Sequence, residues 1–493
     1  MKNRISKPHP HHLIRPRPRL LAAMLASSQL LGVCLAGAAP SVAEQNWPQW
    51  RGPLATGVAP AANPALTWSE SDNIKWKVQI PGSGRATPIV WGNQVFIQTA
   101  IPTTKKVEPP KVQLPAENLR IPAVVGLLAD PPPEPRPERR RPGGGGPGGG
   151  GGFGGRGAKP TEIHQFALLC LDRQTGKTLW QKTACEELPH EGHHPDGSFS
   201  SYSPVTDGQH VFAYFGSRGL YCYDMAGRLQ WSQNFGQQHI AMGFGEGSSP
   251  ALHGDTLIVN WDNEGDSFII ALDKTTGKTR WKQPRDERTS WATPLVVEYE
   301  GKAQVVTAAT RKIRSYDLAS GKLIWECGGL TPNVIPTPVA GDGMVYPISG
   351  FRGNALLAVR LGRTGDLTGT DAIAWQQNKN TPYVPSPLLY GGKLYFFSNN
   401  NGVISCLDAK SGQPLIEAER LEGLPGVYAS PLGAAGRIYL AGRNGTTLVI
   451  KNSDKLEVLA TNKLEEKFDA SPAAAGKDLF LRGHQFLYCI AEK

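Results

Sequence analysis

Residues 86–97, ATPIVWGNQVFI, and residues 428–442, YASPLGAAGRIYLAG, carry the pattern that decides the fold of this 493-residue chain. Each stretch contains a Ser/Thr-Pro step, an apolar segment, a turn with glycine and a second apolar segment. The pattern occurs eight times, with markers at Pro88, Pro204, Pro250, Pro294, Pro338, Pro387, Pro431 and Pro472. From Pro204 onward, neighbouring markers are 41 to 49 residues apart. Short apolar segments between turns predict β-strands, and the regular spacing predicts a repeat architecture.

The second half of the repeat is clearest in CLDRQTGKTLW (170–180), ALDKTTGKTRW (271–281) and SYDLASGKLIW (315–325). The aspartate closes a third strand and is expected to accept backbone N–H bonds in the turn, where glycine supplies a positive φ. The tryptophan that follows is expected to fill the wedge between neighbouring units. Four strands in such a period are typical of a propeller blade. The sequence therefore predicts an all-β fold, an eight-bladed β-propeller of four-stranded antiparallel blades.

The last repeat provides only three strands before the chain ends. Its missing fourth strand is predicted to be IKWKVQI (74–80), because Trp76 occupies the place expected for the blade tryptophan. An N-terminal strand in this position would close the ring and remove exposed sheet edges.

These repeats resemble the PQQ-like propeller repeat family, which includes quinoprotein alcohol dehydrogenases and the propeller lipoprotein of the outer-membrane barrel-assembly machinery. The opening NWPQWRGPLATGV (46–58) also looks like the start of many exported bacterial proteins of this type. The resemblance covers nearly all of residues 46–493 apart from one insertion, and it implies the propeller fold. It does not select a function, because this fold hosts enzymes and binding proteins alike.

Residues 1–43 have the features of a secretory signal peptide. Six basic residues precede an apolar run over 20–35, and small residues favour cleavage after Ala43. Valine before Cys34 is a poor fit to a lipoprotein site, so lipid anchoring is not expected. We therefore expect a mature chain of residues 44–493 that is periplasmic or extracellular, monomeric and without a transmembrane helix.

Removing the signal peptide lowers the formal net charge from +10 to +4, because all six charged residues within it are basic. The basic balance is therefore weak evidence for nucleic acid, and no nucleic-acid partner is expected. Four of the six cysteines that remain, Cys170, Cys222, Cys406 and Cys489, share one repeat position. Equivalent positions on neighbouring blades are too far apart for a disulfide, so these cysteines are expected to be free and buried.

Residues 101–160 interrupt the first blade between its second and third strands. This stretch contains PPPEPRPERRRPGGGGPGGGGGFGGRG, a composition that predicts disorder. It is either a solvated loop or a basic arm that contacts an anionic polymer. The arm interpretation rests on Arg136, Arg139, Arg140, Arg141 and Arg156.

The funnel face of the ring is the place where a ligand is expected. In a propeller, the connections into strand 1 and those between strands 2 and 3 lie on this face. They contribute the candidates Arg85, Glu246, Trp291, Tyr383, Tyr428, Asp469, Arg218 and Arg352. For any one arginine, an ordinary solvated turn is the competing interpretation. Arg85 and Asp469 flank the ring closure and could form a structural ion pair, and Trp291 could stack on a ligand or pack against the next blade.

Two groups of residues contain potential metal ligands. HEGHHPDGSFSSY (190–202) offers His190, His193, His194 and Asp196, and imidazoles suit zinc, copper or nickel. NWDNEGD (260–266) offers Asp262 and Glu264 as oxygen ligands for calcium. Neither spacing matches an established metal motif, and both stretches are equally explained as turns that hydrogen-bond to themselves.

Two functions remain open on the sequence alone. A non-catalytic binding or scaffold protein of the cell envelope needs only a rigid ring with variable loops, an envelope protein or glycan as partner, and no cofactor. A PQQ- and calcium-dependent dehydrogenase would use Asp262, Glu264 or Glu246 as metal ligand or base. The chain has no adjacent Cys-Cys pair, no C-x-x-C-H motif and none of the long insertions that usually cap a quinone site. These departures favour the binding protein.

Overall fold

Alternating apolar residues form 34 strands in the computed structural model, which describes residues 40–106 and 160–492. The first strand, β1 (Ile74–Gln79), belongs to the last blade. Blade 1 contains β2 (Ile89–Trp91), β3 (Gln94–Lys106), β4 (Glu162–Asp172) and β5 (Thr178–Glu187). Blade 2 contains β6 (Val205–Thr206), β7 (His210–Tyr214), β8 (Leu220–Asp224) and β9 (Leu229–Gln233). Blade 3 contains β10 (Ala251–His253), β11 (Thr256–Trp261), β12 (Ser267–Asp273) and β13 (Thr279–Arg285).

The remaining blades repeat this order. Blade 4 contains β14 (Leu295–Tyr299), β15 (Lys302–Thr307), β16 (Ile313–Asp317) and β17 (Leu323–Cys327). Blade 5 contains β18 (Val339–Gly341), β19 (Met344–Tyr346), β20 (Ile348–Ser349), β21 (Ala355–Arg360) and β23 (Ile373–Gln377). Its second strand is split into β19 and β20. The short β22 (Gly365–Asp366) pairs in parallel with β17 of blade 4. Blade 6 contains β24 (Leu388–Tyr390), β25 (Lys393–Phe397), β26 (Val403–Asp408) and β27 (Pro414–Arg420). Blade 7 contains β28 (Leu432–Ala434), β29 (Arg437–Ala441), β30 (Thr446–Lys451) and β31 (Val458–Lys463). Blade 8 contains β32 (Ala473–Ala475), β33 (Asp478–Arg482), β34 (Phe486–Ile490) and β1.

This architecture confirms the predicted eight-bladed propeller and its closing strand. β1 pairs antiparallel with β34, and Trp76 lies opposite Cys489. The inner strands of blades 8 and 1, β32 and β2, contact each other, so the ring is continuous. Two 3-10 turns, Gly216–Arg218 and Ala241–Gly243, interrupt the all-β fold. Within the described ranges, no helix is long and apolar enough to cross a membrane.

The predicted turn and tryptophan join neighbouring blades at five places around the ring. The indole of Trp76 in blade 8 donates to the carbonyl of Arg173 in blade 1 at 2.9 Å, and Trp180 of blade 1 donates to Met225 of blade 2 at 3.1 Å. Gly176 has a φ of 72° and lies flat against Trp76, where a Cβ atom would come within 2.8 Å of the ring. Glycine is therefore needed both for the turn and for the approach of the tryptophan.

The Ser/Thr-Pro markers have a second role that the repeat pattern did not predict. In seven of the eight blades, the backbone N–H of the marker Ser or Thr donates to the side-chain hydroxyl of the equivalent residue in the next blade, over 2.9–3.2 Å. We call these residues the hydroxyl ring: Thr87, Ser203, Ser249, Thr293, Thr337, Ser386, Ser430 and Ser471. Seven joints of the ring carry this bond. At the joint between Ser471 and Thr87, the hydroxyl of Thr87 is buried without a hydrogen-bond partner.

The segment 46–58 crosses the end of the ring opposite the funnel. Trp47 pairs with Val90 in blade 1, and Val58 pairs with Gly433 in blade 7. Between these contacts, the guanidinium of Arg51 donates to the carbonyls of Pro431 and Pro387 at 2.7 and 2.6 Å. The N-terminal segment thus ties together blades that are remote along the chain.

Some sequence predictions differ from the structure or lie outside it. Residues 101–106, assigned to the insertion, extend β3 and pair with β4 as far as Lys106 opposite Glu162. The boundary moves because these residues alternate in exposure on a paired strand. The rest of the insertion, residues 107–159, and residues 1–39 of the predicted signal peptide lie outside the described residues.

The cysteine prediction is confirmed for the four that share a repeat position. Cys170, Cys222, Cys406 and Cys489 are free and buried. Burial raises the pKa of the Cys170, Cys222 and Cys406 thiols to about 12. These thiols therefore stay protonated and behave as small apolar side chains.

Candidate functional site

A cavity of about 410 Å³ lies above the hydroxyl ring on the funnel face. Six of the eight funnel-face candidates line it: Arg85, Glu246, Trp291, Tyr383, Tyr428 and Asp469. Trp50 forms its floor, because the indole donates to the hydroxyl of Thr337 in the ring at 3.2 Å. The cavity is thus closed on one side by the N-terminal segment and open towards the funnel.

One half of the cavity is apolar, and we call it the aromatic wall. Blades 3 to 6 contribute its members, Phe244, Trp291, Ile335, Phe351, Tyr383 and Val384. Trp291 packs along Gly247, and its indole donates to the carbonyl of Gly245 at 2.7 Å. The rings of Phe351 and Tyr383 are 5.1 Å apart. All four aromatic side chains are half-buried, so they present apolar surface to the cavity while the scaffold holds them in place.

Arg85, Asp196, Tyr428 and Asp469 line the other half, and with Arg443, which pairs with both aspartates, they form what we call the charged wall. Arg443 donates to Asp196 at 2.6 Å and to Asp469 at 2.7 Å, and its guanidinium lies 4.0 Å from the centre of the Tyr428 ring. Asp196 comes from the loop before blade 2, so this pair spans the funnel from blade 2 to blade 7. Burial alone would raise the pKa of Asp469, but hydrogen bonds from His484 and Arg443 hold it below the ordinary value.

Arg85 and Asp469 form the ion pair that the sequence offered as one interpretation, with Nε and Oδ2 3.4 Å apart. Burial and the neighbouring Asp196 raise the pKa of Tyr428 to about 12, so its hydroxyl remains protonated and donates to Asp196 at 3.0 Å. The carboxylates of the charged wall are therefore neutralised by partners within the wall.

Glu246 is fully engaged in holding blades 2 and 3 together. It accepts hydrogen bonds from the Tyr202 hydroxyl at 2.6 Å, from the Ser217 backbone at 2.8 Å and from Arg218 at 2.8 Å. Arg218 is buried behind the cavity and does not line it. Arg352 is exposed on the turn after Phe351 and lies 5.2 Å from that ring. Both arginines therefore support residues of the funnel from outside the cavity.

The histidines of the 190–202 loop have separate partners. His190 lies against the carbonyl of Gln238 at 2.7 Å, His193 against that of His194 at 2.7 Å, and only His194 lines the cavity. Asp262 is fully buried beside Arg285, and Glu264 accepts from Thr289 at 2.8 Å. The described residues contain no group of three or more His, Cys, Asp or Glu side chains that could hold a metal ion. The geometry therefore gives neither predicted metal set any support.

A calcium-bound quinone does not fit the donors of this cavity. Calcium takes six to eight oxygen ligands, several of them ionised carboxylates. Here Glu246, Asp196 and Asp469 each accept hydrogen bonds from an arginine at 2.6–2.8 Å. A cation or a proton would have to displace those guanidinium groups. No catalytic step is therefore derived through such a cofactor.

Sequence reasoning missed three residues of the site. Trp50 is remote in sequence from every blade loop, and nothing local signals that it reaches the cavity floor. Phe244 and Phe351 each lie within two residues of a candidate that was named, Glu246 and Arg352. Their position in the same loops as these charged residues is the signal that could have identified them.

A family model and several solved structures are similar to this chain. No curated protein matches the chain in sequence. Among solved structures, BamB from Moraxella catarrhalis aligns over 66% of this chain and 92% of its own, with 14% identity and a TM-score of 0.47. The computationally designed Ika8 protein aligns over 68% and 98%, with 11% identity and a TM-score of 0.46.

The family model matches a stretch of the chain that spans several blades. The model for the outer membrane protein assembly factor BamB matches residues 165–415, just over half of the chain. That range runs from the third strand of blade 1 into the last strand of blade 6. The chain therefore belongs to the PQQ-like β-propeller family of the outer membrane protein assembly factor BamB.

Proposed function

We propose that this chain is a non-catalytic binding or scaffold propeller of the cell envelope, and that its funnel engages a protein partner. The observation that carries the proposal is the division of the cavity into an aromatic wall and a charged wall whose carboxylates are already paired. Rigid aromatic side chains in a pocket are typical anchors for a protein partner. Paired carboxylates supply no base or metal ligand for catalysis.

Location in the envelope follows from two independent supports. The chain belongs to a family described as an outer membrane protein assembly factor, and residues 1–43 have the pattern of a signal peptide. We propose export through this signal, without a lipid anchor, and a monomeric mature chain without a cofactor. A glycan remains the other partner class that an aromatic wall would suit.

Site-specific photo-crosslinking in living cells tests the funnel. A photoreactive residue in place of Tyr383, in the aromatic wall, should form discrete protein adducts. The same residue in place of Leu229, which is 55% exposed on the outer strand of blade 2, should not. Adducts that disappear in a Trp291→Ala background assign the partner to the aromatic wall. Adducts of equal strength at both positions would argue against a funnel partner, and labelling of carbohydrate alone would assign a glycan.

Titration of PQQ with and without calcium tests the competing enzyme hypothesis on the same protein. Tryptophan fluorescence and the melting temperature should remain unchanged at tens of micromolar PQQ. A ligand that binds only the folded state must raise its stability. Saturable stabilisation that needs calcium would therefore overturn the non-catalytic proposal.

A further inference from the structure

The joint between blades 8 and 1 contains more positive charge than its carboxylates neutralise. We call this joint the seam; on the funnel side it contains Arg85, Thr87 and Gln98 of blade 1 and Asp469 and Arg482 of blade 8. It is also the joint at which the hydroxyl ring lacks its hydrogen bond. Uncompensated charge in a buried place is costly and calls for a partner.

Arg482 is the clearest case. It is 3% exposed, and among the described residues its side chain donates one hydrogen bond, to the carbonyl of Gln98 at 2.5 Å. No Asp or Glu oxygen among residues 40–106 and 160–492 lies within ion-pair distance of it. Burial, and to a lesser degree the nearby Arg85, lower the pKa of the guanidinium to about 9. The group is therefore a buried cation without a counter-ion.

The neighbouring joint shows that this contact does not require a charge. Gln98 and Arg482 occupy equivalent positions, ten residues after the marker prolines Pro88 and Pro472. The side chain of Gln98 donates to the carbonyl of Tyr214 in blade 2 at 2.7 Å. Arg482 makes the same contact to the carbonyl of Gln98. A neutral amide therefore makes this contact between blades 1 and 2, whereas a guanidinium makes it between blades 8 and 1. The additional N–H groups and the charge of Arg482 have no structural use in that contact.

Arg85 is the second under-satisfied cation. Its contacts to Asp469, to His484 and to the carbonyl of Gly84 are 3.4, 3.4 and 3.5 Å long, and its Nε forms no hydrogen bond. Asp469 is already engaged, because Oδ1 accepts from Arg443 at 2.7 Å and Oδ2 lies 2.8 Å from His484 Nε2. The carboxylate therefore leaves most of the hydrogen-bonding capacity of Arg85 unused.

Other buried polar atoms of blade 1 and of the loop that follows it also lack partners. They are the Thr87 hydroxyl, the Gln98 side-chain oxygen and the Ser200 hydroxyl. Ser200 is adjacent because its carbonyl accepts from the Arg85 backbone at 3.0 Å. Both hydroxyls can donate a hydrogen bond, as can the two guanidinium groups. The seam therefore contains hydrogen-bond donors, including those of two cations, that the surrounding residues leave unused.

We infer that an oxyanion binds at the seam between Arg85 and Arg482, next to the cavity that Arg85 and Ser471 line. A planar guanidinium presents paired N–H groups that match the oxygens of a carboxylate, sulfate or phosphate. The anion would neutralise both arginines and receive the free hydroxyl of Thr87. It would also connect blade 8 to blade 1 where the hydroxyl ring does not. This inference does not depend on the proposed partner in the funnel.

Thermal unfolding of the full mature chain tests the site, with sodium sulfate and sodium phosphate titrated from zero. The wild-type melting temperature should rise saturably with either anion. Arg482→Gln retains an amide for the Gln98 carbonyl, as in blade 1, and should be at least as stable as the wild type without anion. Its sulfate affinity, and that of Arg85→Gln, should fall about tenfold or more, the loss expected for one charge-assisted hydrogen bond.

Arg363→Gln is the matched control, because Arg363 is 48% exposed at its side chain and remote from the seam along the chain. It should retain the wild-type response, which separates a site from the general effect of ionic strength. Equal responses in the wild type and both seam variants would overturn the inference, as would the absence of any response in the wild type. Isothermal titration of sulfate into Arg85→Gln gives the same decision if Arg482→Gln does not fold.

A comparison of sulfate, acetate and 3-phenylpropionate separates the two sources of the oxyanion, a free inorganic anion and the acidic group of a larger ligand. Tighter binding of the aryl acid than of acetate indicates the acidic group of a larger ligand that also contacts the aromatic wall. Equal binding of the two acids, with tighter binding of sulfate, indicates a free inorganic anion. Either result requires that Arg85→Gln weakens the binding, and a response that survives this change contradicts the site.

Discussion

Asp262 and Arg285 form a buried ion pair that is held by partners from neighbouring strands. The Asp262 carboxylate accepts hydrogen bonds from Arg285 Nε at 2.7 Å, from Arg285 Nη2 at 3.0 Å and from the Ser290 hydroxyl at 2.6 Å. The side chains of Asp262 and Arg285 are fully buried. Arg285 also donates to Thr307 and Tyr316 of blade 4. The residue that the sequence offered as a calcium ligand is therefore part of a structural network between blades 3 and 4.

Replacing Asp262 by alanine should lower the free energy of unfolding by about 3–5 kcal/mol, because Arg285 would remain buried without its counter-ion. Urea denaturation of the purified chain measures this loss. Asp371→Ala removes a carboxylate that is 82% exposed, in an ion pair with Arg363, and should change stability little. Calcium should not alter either midpoint. A calcium-dependent rise that Asp262→Ala abolishes would restore the metal interpretation.

At the scale of the element, β1 is the strand on which the ring depends most. It comes from the start of the chain, pairs with β34 at the end, and places Trp76 against the turn of blade 1. Trp76 is 7% exposed and contacts Phe480, with ring centres 6.0 Å apart. A single strand thus joins the two ends of the chain and also seals the joint between blades 8 and 1.

Truncation of Trp76 to alanine should cost about 3–5 kcal/mol, the range for a large aromatic side chain removed from a core. Deletion of residues 74–80 should abolish cooperative melting of the whole ring, because every blade needs both neighbours. Differential scanning calorimetry distinguishes these outcomes. Leu229→Ala, on the outer strand of blade 2 and 55% exposed, is the control and should melt as the wild type does. A deletion mutant with an unchanged melting curve would show that β1 is dispensable.

At the scale of the whole molecule, the hydroxyl ring joins neighbouring blades at seven of the eight joints. Thr337 accepts hydrogen bonds from the Thr293 backbone at 3.1 Å and from the Trp50 indole at 3.2 Å. Thr87 has the same place in blade 1, and its hydroxyl accepts none. The same residue type in the same repeat position therefore has different energetic roles.

This difference gives a matched pair of variants. Thr337→Val leaves a buried N–H without an acceptor and should lower the free energy of unfolding by about 1–3 kcal/mol. Thr87→Val removes a hydroxyl that accepts no bond from the protein and should be close to neutral in buffer without sulfate or phosphate. Chemical denaturation of both proteins under the same conditions measures the difference. Equal losses would mean that the ring bond at Thr337 contributes nothing beyond burial of its methyl group.

Much of the fold was predictable because its determinants are local and repeated. The Asp-x-x-x-Gly turn, the tryptophan after it and the alternation of apolar residues each act within one blade or between adjacent blades. Trp76 could be assigned to blade 8 because Trp180, Trp281 and Trp325 showed where a fourth strand should be. The candidate site was predicted less completely. The funnel loops were correctly chosen, but Trp50 could not be found in this way, since it reaches the cavity from outside the repeat.

By itself, the amino-acid sequence determined the number of blades, the order of strands and the closing strand, because these follow from a pattern written eight times. Tertiary structure alone decided which charges are free. Asp196 and Arg443 are 247 residues apart along the chain, yet they form an ion pair across the funnel. Whether a carboxylate binds a cation or neutralises an arginine depends on partners that ring closure brings together. The physical reason is that electrostatic pairing acts over a few ångströms in space, whatever the separation in sequence.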